Sequence, residues 1–482
     1  MTNSTSSDVS KYRFVNTIDG RAVDSDHYID VINPATGLVC AKVPEATPDQ
    51  LNEAVAAARR AQPAWAARDI PERRRILGLI AKALIDNRDE LAHLIVLEQG
   101  KPMVRALDEV TRSVEQLNFL MAIDLHDDHL VDSNDRPVRI HYEPLGVIGG
   151  IVPWNMPLVL GVPKIVHALY TGNTIVLKPS QYTPLSSLRL GELITPLIPA
   201  GVVNIIAGGN EIGQLMSEHP DIDKISFTGS LRAGRAVMRS AAGTLKRLTL
   251  ELGGNDAAIV FDDVDPEKIA PSLFRGAFAN SGQICMAIKR LYVHERIYEP
   301  VCQALAAIAK RTVVGDGTSK ETQLGPLQNK TQFDMVSGII DDARAAGGRV
   351  LGEPDNAEKL GGYCIRPIIV ADLKEGTRLV DEEQFGPVLP VLKFTDTEDV
   401  IRRANATEYG LGASVWSKDL DRAERVAERL DAGTVWINYH LGSDARVPFG
   451  GSKLSGVGVQ YSLEGLRASM QARAIYSPAP ID

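Results

Sequence analysis

Between Leu145 and Glu251 short apolar runs alternate with helical ones, and this alternation limits the fold more than any other feature of the sequence. Val147–Val152, Thr174–Leu177, Val202–Ile206, Lys224–Phe227 and Arg247–Glu251 read as strands. Leu158–Tyr170, Leu185–Ile198, Ile212–Glu218 and Arg232–Ala242 read as the helices between them. Strands this short and apolar offer no polar face to water, so both faces of their sheet must be covered. Interleaved helices do that, which predicts a parallel sheet wrapped on both sides. Such sheets bind ligands beyond the carboxyl ends of their strands. The texture repeats from Ala257 to about Trp436. Strands are expected at Ala257–Phe261, Arg290–Val293, Ile368–Val370, Val388–Phe394 and Gly433–Ile437, and long helices at Pro266–Asn280, Ile297–Arg311 and Thr331–Ala346.

Ahead of this region, Phe14–Val43 reads as short strands and turns. Thr47-Pro48-Asp49 then opens a helix with a capping residue and a proline in the first turn. Helices are expected at Leu51–Arg68, as one long element at Pro71–Gln99, and at Met103–Leu125. Asp127–Tyr142 is charged and alternates at its end, which suits an exposed hairpin serving as an arm for a partner subunit. The tail ends in Arg473-Ala474-Ile475-Tyr476, an alternation that fits an edge strand able to pair with that arm.

At about 150 residues per domain, 482 residues suggest about three domains. A net charge of −9 argues against nucleic-acid or anionic-membrane partners, because the overall field repels phosphate. The four cysteines, Cys40, Cys285, Cys302 and Cys364, form no CxxC pair and fit a reducing compartment. His126 and His129 stand close together without partner ligands, so no metal is expected. Met1–Ser10 lacks the charged and apolar regions of a signal peptide. The most apolar stretch, Leu145–Pro163, is broken by Pro153, Trp154, Asn155 and Pro157, so it does not read as a membrane span. A cytoplasmic protein is the expectation.

The chemistry concentrates in short stretches at predicted strand ends. Cys285 follows Ser281-Gly282-Gln283, a small polar turn suited to close approach of a ligand, although free cysteines are also commonly buried and inert. Pro153-Trp154-Asn155-Met156-Pro157, Lys178-Pro179-Ser180-Gln181, Thr228-Gly229-Ser230 with Gly234, and Glu251-Leu252-Gly253-Gly254-Asn255 each follow a strand. Glu383-Gln384-Phe385-Gly386-Pro387 precedes one. Asn155 also suits a cap for the helix opening at Leu158. Glu251 alternates with Leu248, Leu250 and Leu252, which is compatible with a solvent-facing strand end or with a site, and Gly253 and Gly254 are expected to leave room for a ligand beside it. No GxGxxG occurs, and Gly208-Gly209-Asn210-Glu211-Ile212-Gly213 has the wrong spacing. Thr228-Gly229-Ser230, directly before a helix, is the better phosphate site.

In this order, and with Pro448-Phe449-Gly450-Gly451 and Lys453-Leu454-Ser455-Gly456 near the end, these stretches resemble the NAD(P)-dependent aldehyde dehydrogenase superfamily over nearly the whole chain. The separation of Cys285 from Glu251 (285 − 251 = 34) also agrees with that family. The resemblance implies an α/β fold with a Rossmann-type dinucleotide-binding domain (1–125 and 145–253), an α/β catalytic domain (254–455) and a small discontinuous oligomerisation arm (126–144 and 464–482). It implies a homodimer or homotetramer acting on a small-molecule aldehyde.

It further implies that Cys285 attacks the aldehyde, that Asn155 and the Cys285 N–H stabilise the oxyanion, and that Glu251 activates the water that releases the acid. The cofactor, NAD or NADP, would be held by Trp154, Lys178, Ser180, Gln181, Gly229, Ser230, Gly234, Leu252, Glu383 and Phe385. Gln181 stands where many NAD-preferring relatives carry glutamate, which predicts acceptance of NADP+ at least comparable to NAD+. Met156, Leu160, Ile284, Met286, Leu441 and Ser443 would line an apolar aldehyde tunnel. Small residues at Ala279, Pro163 and Ser443 make it roomy, which suits aromatic or medium-chain aldehydes. The alternatives are a semialdehyde held by His440 and Arg446, a CoA-acylating enzyme, and a non-catalytic protein of this fold. Lys164, Glu98 and Arg290 read as structural.

Overall fold

The computed structural model describes residue 9, residues 12–354 and residues 360–477. The rest of the polar segment Met1–Ser10 and the end of the 464–482 tail lie outside the described residues. The chain opens with β1 (Asn16–Ile18) and β2 (Arg21–Val23), then the hairpin β3 (Tyr28–Asn33) and β4 (Leu38–Pro44). Helices α1 (Pro48–Ala66), α2 (Ile70–Asp86), α3 (Arg88–Gln99) and α4 (Met103–Ala122) follow. Thr47 and Gln50 close a capping box at the start of α1. The single helix expected at Pro71–Gln99 is two. Asn87 leaves the helical conformation (φ −110°, ψ 21°) and its side-chain amide donates to the Ala83 carbonyl, which ends α2 before α3 begins.

The exposed hairpin is β5 (Asp128–Val131) and β6 (Pro137–Pro144). The alternating region runs β7 (Val147–Ile151), α5 (Pro157–Tyr170), β8 (Thr174–Lys178), α6 (Leu185–Ile194), β9 (Val203–Ile205), α7 (Asn210–Glu218), β10 (Lys224–Thr228), α8 (Leu231–Ala241) and β11 (Arg247–Glu251). Its repeat runs β12 (Asp256–Val260), α9 (Pro266–Phe278), β13 (Ile288–His294), α10 (Tyr298–Arg311), α11 (Lys330–Ala345), β14 (Arg349–Leu351), β15 (Ile368–Ala371), α12 (Arg378–Asp381), β16 (Val388–Phe394), α13 (Thr397–Asn405), β17 (Gly412–Trp416), α14 (Leu420–Ala427) and β18 (Thr434–Ile437). The chain closes with β19 (Gly456–Val457), α15 (Ser462–Arg467) and β20 (Met470–Tyr476).

The first sheet has the order β19-β11-β10-β7-β8-β9-β1-β2, with β7 to β11 parallel and antiparallel strands at both edges. The second has the order β14-β15-β16-β13-β12-β17-β18, parallel except at β14. Both are covered on both faces, as their apolar strands require. Along β12, Ala257 and Ile259 enter one core while Ala258 and Val260 enter the other. Along β8, Ile175 and Leu177 face one core and Val176 the opposite one. Each fully buried Val, Leu or Ile contributes roughly 1.5–3 kcal/mol.

The tail strand β20 pairs antiparallel with β6 from Met470↔Pro144 to Tyr476↔Val138, so tail and arm form one three-stranded sheet. Among the described residues no helix is long and apolar enough to cross a membrane, and no group of three His, Cys, Asp or Glu is placed to hold a metal ion.

Candidate active site

In the parallel part of the first sheet the chain runs from β7 through β8 to β9, then returns to place β10 on the other side of β7. A crevice opens at such a reversal, beyond the carboxyl ends of the two strands. The turn carrying Asn155 follows β7, and Thr228-Gly229-Ser230 follows β10 into α8.

Helix α5 begins with Pro157 but has no side-chain cap of its own. Asn155 therefore does not serve as the cap that its position suggested. Glu109, on the buried face of α4, takes that role: its Oε1 accepts from the N–H groups of Leu158 and Val159 at 3.0 and 3.3 Å. Its Oε2 pairs with Lys101, and the Lys101 Nζ also donates to the Asn155 carbonyl at 3.1 Å. The side-chain amide of Asn155 donates to the Gln283 carbonyl at 2.9 Å, and Asn280 Nδ2 donates to the Asn155 carbonyl at 3.1 Å. The Asn155 turn is thereby tied to the loop that carries Cys285.

That loop is held tightly. Asn280, Ser281 and Gly282 all have positive φ. A Cβ on Gly282 would meet the Gly386 carbonyl oxygen at 2.2 Å, so this glycine serves backbone packing, where the sequence suggested room for a ligand. Ser281 Oγ donates to the Gly325 carbonyl at 2.7 Å and Lys289 Nζ to the Gly282 carbonyl at 2.8 Å. Gly253 and Gly254 likewise make room for protein. A Cβ at 253 would lie 2.1 Å from a Glu383 carboxylate oxygen, and one at 254 would lie 2.6 Å from the Cys285 carbonyl.

Cys285 is half-buried and faces a cavity of about 640 Å³. Asn155 and Glu251 line the same cavity, as do all six residues expected to form the tunnel: Met156, Leu160, Ile284, Met286, Leu441 and Ser443. Ala279 also lines it. Pro163 does not; it is buried within α5. Glu251 is 3 % exposed, which rules out the solvent-facing strand end, and neither carboxylate oxygen has a hydrogen-bond partner. Burial pushes its pKa well above the carboxylate range, with only Lys164 opposing. Lys164 is itself pushed down to about 7 by burial, and its Nζ donates to Ser226 and Thr228 hydroxyls at 3.2 and 2.9 Å. The Cys285 thiol is pushed up to about 12, by burial first and then by Glu383, Glu251 and Asp256, while Lys289 works the other way. At neutral pH it rests as the thiol and ionises only with a base at hand.

None of the residues expected to hold the cofactor lines this cavity. Trp154 and Phe385 meet edge to face at 5.3 Å. Glu383 accepts from the Gly254 N–H at 3.1 Å, and burial raises its pKa to about 7. Ser230 caps α8 and is exposed, so the helix N-terminus opens at the crevice. A Cβ on Gly234 would meet Leu252 at 2.4 Å, so this glycine lets α8 settle against Leu252. At the end of β8, Lys178 Nζ donates to the Gly208 carbonyl at 2.8 Å, and Ser180 and Gln181 are half-buried beside it.

Other residues took different places. His440 is buried with Nε2 2.8 Å from the Met286 carbonyl, and burial pushes its pKa to about 3, so it is neutral and cannot hold a carboxylate. Arg446 is exposed and paired with Asp444. Glu98 accepts from Leu185 and Ser186 N–H groups at 2.5 and 3.2 Å, and Arg290 donates to the carbonyls of Asn255, Arg403 and Ala404, as structural residues do. Sequence reading missed Lys101 and Glu109. A signal was present: Ala106, Val110, Ser113 and Leu117 are buried at helical spacing, and Glu109 lies on that same face.

The aldehyde dehydrogenase family model matches residues 22–475. Betaine aldehyde dehydrogenase 1 of Rhizobium meliloti is 39 % identical, with 95 % of this chain and 96 % of that protein covered. The NAD+ complex of an aldehyde dehydrogenase from Bacillus cereus superposes with a TM-score of 0.93 at 37 % identity, covering 97 % of each chain. An NADP-dependent enzyme of E. coli superposes with a TM-score of 0.94 at 35 % identity, covering 98 % of this chain and 99 % of that one.

Proposed function

Because the chain belongs to the aldehyde dehydrogenase family, we propose that it oxidises aldehydes to carboxylic acids through a thioester on Cys285, with NAD+ or NADP+ as hydride acceptor and water as acyl acceptor. One observation carries this reading: Cys285, Asn155 and an unpartnered, buried Glu251 line one cavity. A thiol near 12 needs a base to become a nucleophile, and Glu251 is the carboxylate at hand. The thiolate adds to the aldehyde carbon and gives a thiohemiacetal. Its oxyanion is held by the Asn155 side-chain amide and the Cys285 N–H. A bound nicotinamide would supply the hydride acceptor here, and loss of hydride from the thiohemiacetal carbon would leave the acyl group on sulfur. Glu251, having released the Cys285 proton to solvent, then removes a proton from water as it attacks the thioester and passes it to the departing sulfur, so the acid leaves with the thiol restored. A thiol acceptor such as CoA has no need of so buried a base, so water is the acceptor.

The exposed N-terminus of α8 after β10 suits the pyrophosphate. Lys178, Ser180 and Gln181 suit the adenosine ribose, Glu383 the nicotinamide ribose, and Trp154 and Phe385 the ring itself. The arm is read as the oligomer interface: β5 is the outer strand of its sheet, with Leu130 55 % and Val131 67 % exposed.

The cavity is large and mainly apolar, with Val159, Phe274, Phe278 and Phe449 among its walls, which favours aromatic or medium-chain aldehydes. Betaine aldehyde fits poorly. Arg112 and Arg275 line the cavity with no carboxylate partner within 4 Å among the described residues, while Arg105 is paired with Asp108, so the walls are net cationic. A quaternary ammonium wants an aromatic cage without such charges. Stopped-flow mixing with benzaldehyde or hexanal tests the mechanism. A burst of one reduced cofactor per Cys285 is expected, with an acyl adduct in the intact mass. Reduction without any adduct on Cys285 would overturn the thioester route.

A further inference from the structure

The end of β8 holds a charge that its own sequence motif does not contain. Lys178 and Gln181 both reach the turn at Gly208-Gly209 that leads into α7. Lys178 Nζ donates to the Gly208 carbonyl at 2.8 Å. A Cβ placed on Gly209 would lie 3.0 Å from Gln181 Oε1 and 3.3 Å from Glu45 Oε1. The Gly209 N–H itself donates to Glu45 Oε1 at 3.2 Å. Glu45 arrives from the end of β4, far away in sequence, so a carboxylate and the Gln181 amide flank one glycine beside the Lys178 ammonium. Electrostatically the carboxylate is close enough to raise the Lys178 pKa, opposing the burial that lowers it to about 8.

We propose that Glu45 sets cofactor choice in this protein: its carboxylate faces the adenosine ribose and repels a 2′-phosphate, the discrimination that neutral Gln181 cannot exert. This rests on the seating of the ribose at Lys178 and Gln181 given above. NADP+ is then used less well than Gln181 alone would allow, and the specificity residue lies outside the motif where a sequence reader looks for it.

The rival account is that Glu45 only caps α7 through Gly209. Glu45→Gln separates the two, because glutamine keeps an acceptor for that N–H and loses only the charge. Two unit charges about 4 Å apart in water are worth about fivefold in affinity, more where solvent is excluded. Glu45→Gln is therefore expected to raise kcat/KM for NADP+ by about fivefold or more, with NAD+ changed less than about twofold and the melting temperature little moved. Glu45→Ala should shift the cofactor ratio in the same direction while also lowering the melting temperature. An unchanged NADP+/NAD+ ratio in both variants overturns the inference and leaves capping. Lys178→Met is the control on the seat. Raised KM for both cofactors keeps the ribose there, whereas unchanged KM for both removes the seat itself, whatever Glu45 does.

Discussion

Glu109→Gln removes a buried charge that the fold uses to aim Asn155. The side chains of Lys101 and Glu109 are each 3 % exposed, and among the described residues the Lys101 ammonium has the Asn155 carbonyl as its one further partner. The glutamine oxygen can keep the bonds to the N–H groups of Leu158 and Val159 but leaves the ammonium without a counterion. An uncompensated buried charge costs about 3–5 kcal/mol. Urea titration should therefore show about 3–5 kcal/mol lost from the first unfolding transition. The Asn155 turn loses its fixed hold as well. Loss of one oxyanion donor costs about 10²–10³ in kcat, so a misaimed donor should lower kcat by about tenfold to a hundredfold while KM for the cofactor stays within about twofold. Combining Glu109→Gln with Lys101→Met removes both charges and should recover most of the stability but not kcat. A loss below about 1 kcal/mol, or a double variant no more stable than the single one, would refute the reasoning.

Cys285→Ser should abolish aldehyde oxidation while cofactor binding, followed by fluorescence, persists; retention of more than about a tenth of the activity, about 1.4 kcal/mol, would remove Cys285 from its role. Glu251→Gln should slow the burst of reduced cofactor and accumulate as acyl-enzyme, by intact mass, whatever thioester does form, and full steady-state turnover would contradict its role as base. Because the folded Glu251 holds its proton to higher pH than the unfolded chain does, wild-type deacylation should fall as pH drops through that raised pKa. The stability contribution runs the other way: it is present at low pH and is lost as pH rises from the ordinary carboxylate value through the raised one, and Glu251→Gln should flatten that slope in melting temperature. Across benzaldehyde, hexanal, acetaldehyde, succinic semialdehyde and betaine aldehyde, kcat/KM should be highest for the first two and lowest for the cationic substrate. A clear preference for betaine aldehyde would show that Arg112 and Arg275 do not govern the cavity's field.

Much was legible in the sequence because it depends on local pattern. The period of apolar residues marked β7 to β11 as a parallel sheet covered on both faces, since no other arrangement keeps such strands from water. The alternation at Arg473–Tyr476 foretold the strand that pairs with β6. Cys285, Asn155 and Glu251, which line one cavity, stood out as candidates because each follows a strand or helix end, and such ends are where sheets of this kind gather their ligands.

Tertiary structure decided what depends on partners distant in the chain. Gly253, Gly254 and Gly282 looked like space for a ligand, yet a sequence cannot say which atoms approach a glycine. They are Glu383, the Cys285 carbonyl and the Gly386 carbonyl. His440 was a candidate anion holder until burial made it neutral. The reach of Glu109 and Glu45 was invisible because the N–H groups they accept from, at the start of α5 and in the turn before α7, come close only when separate elements pack. Charge is written in the sequence, but its effect is set by distance and by exclusion of water, and both of those exist only in the folded chain.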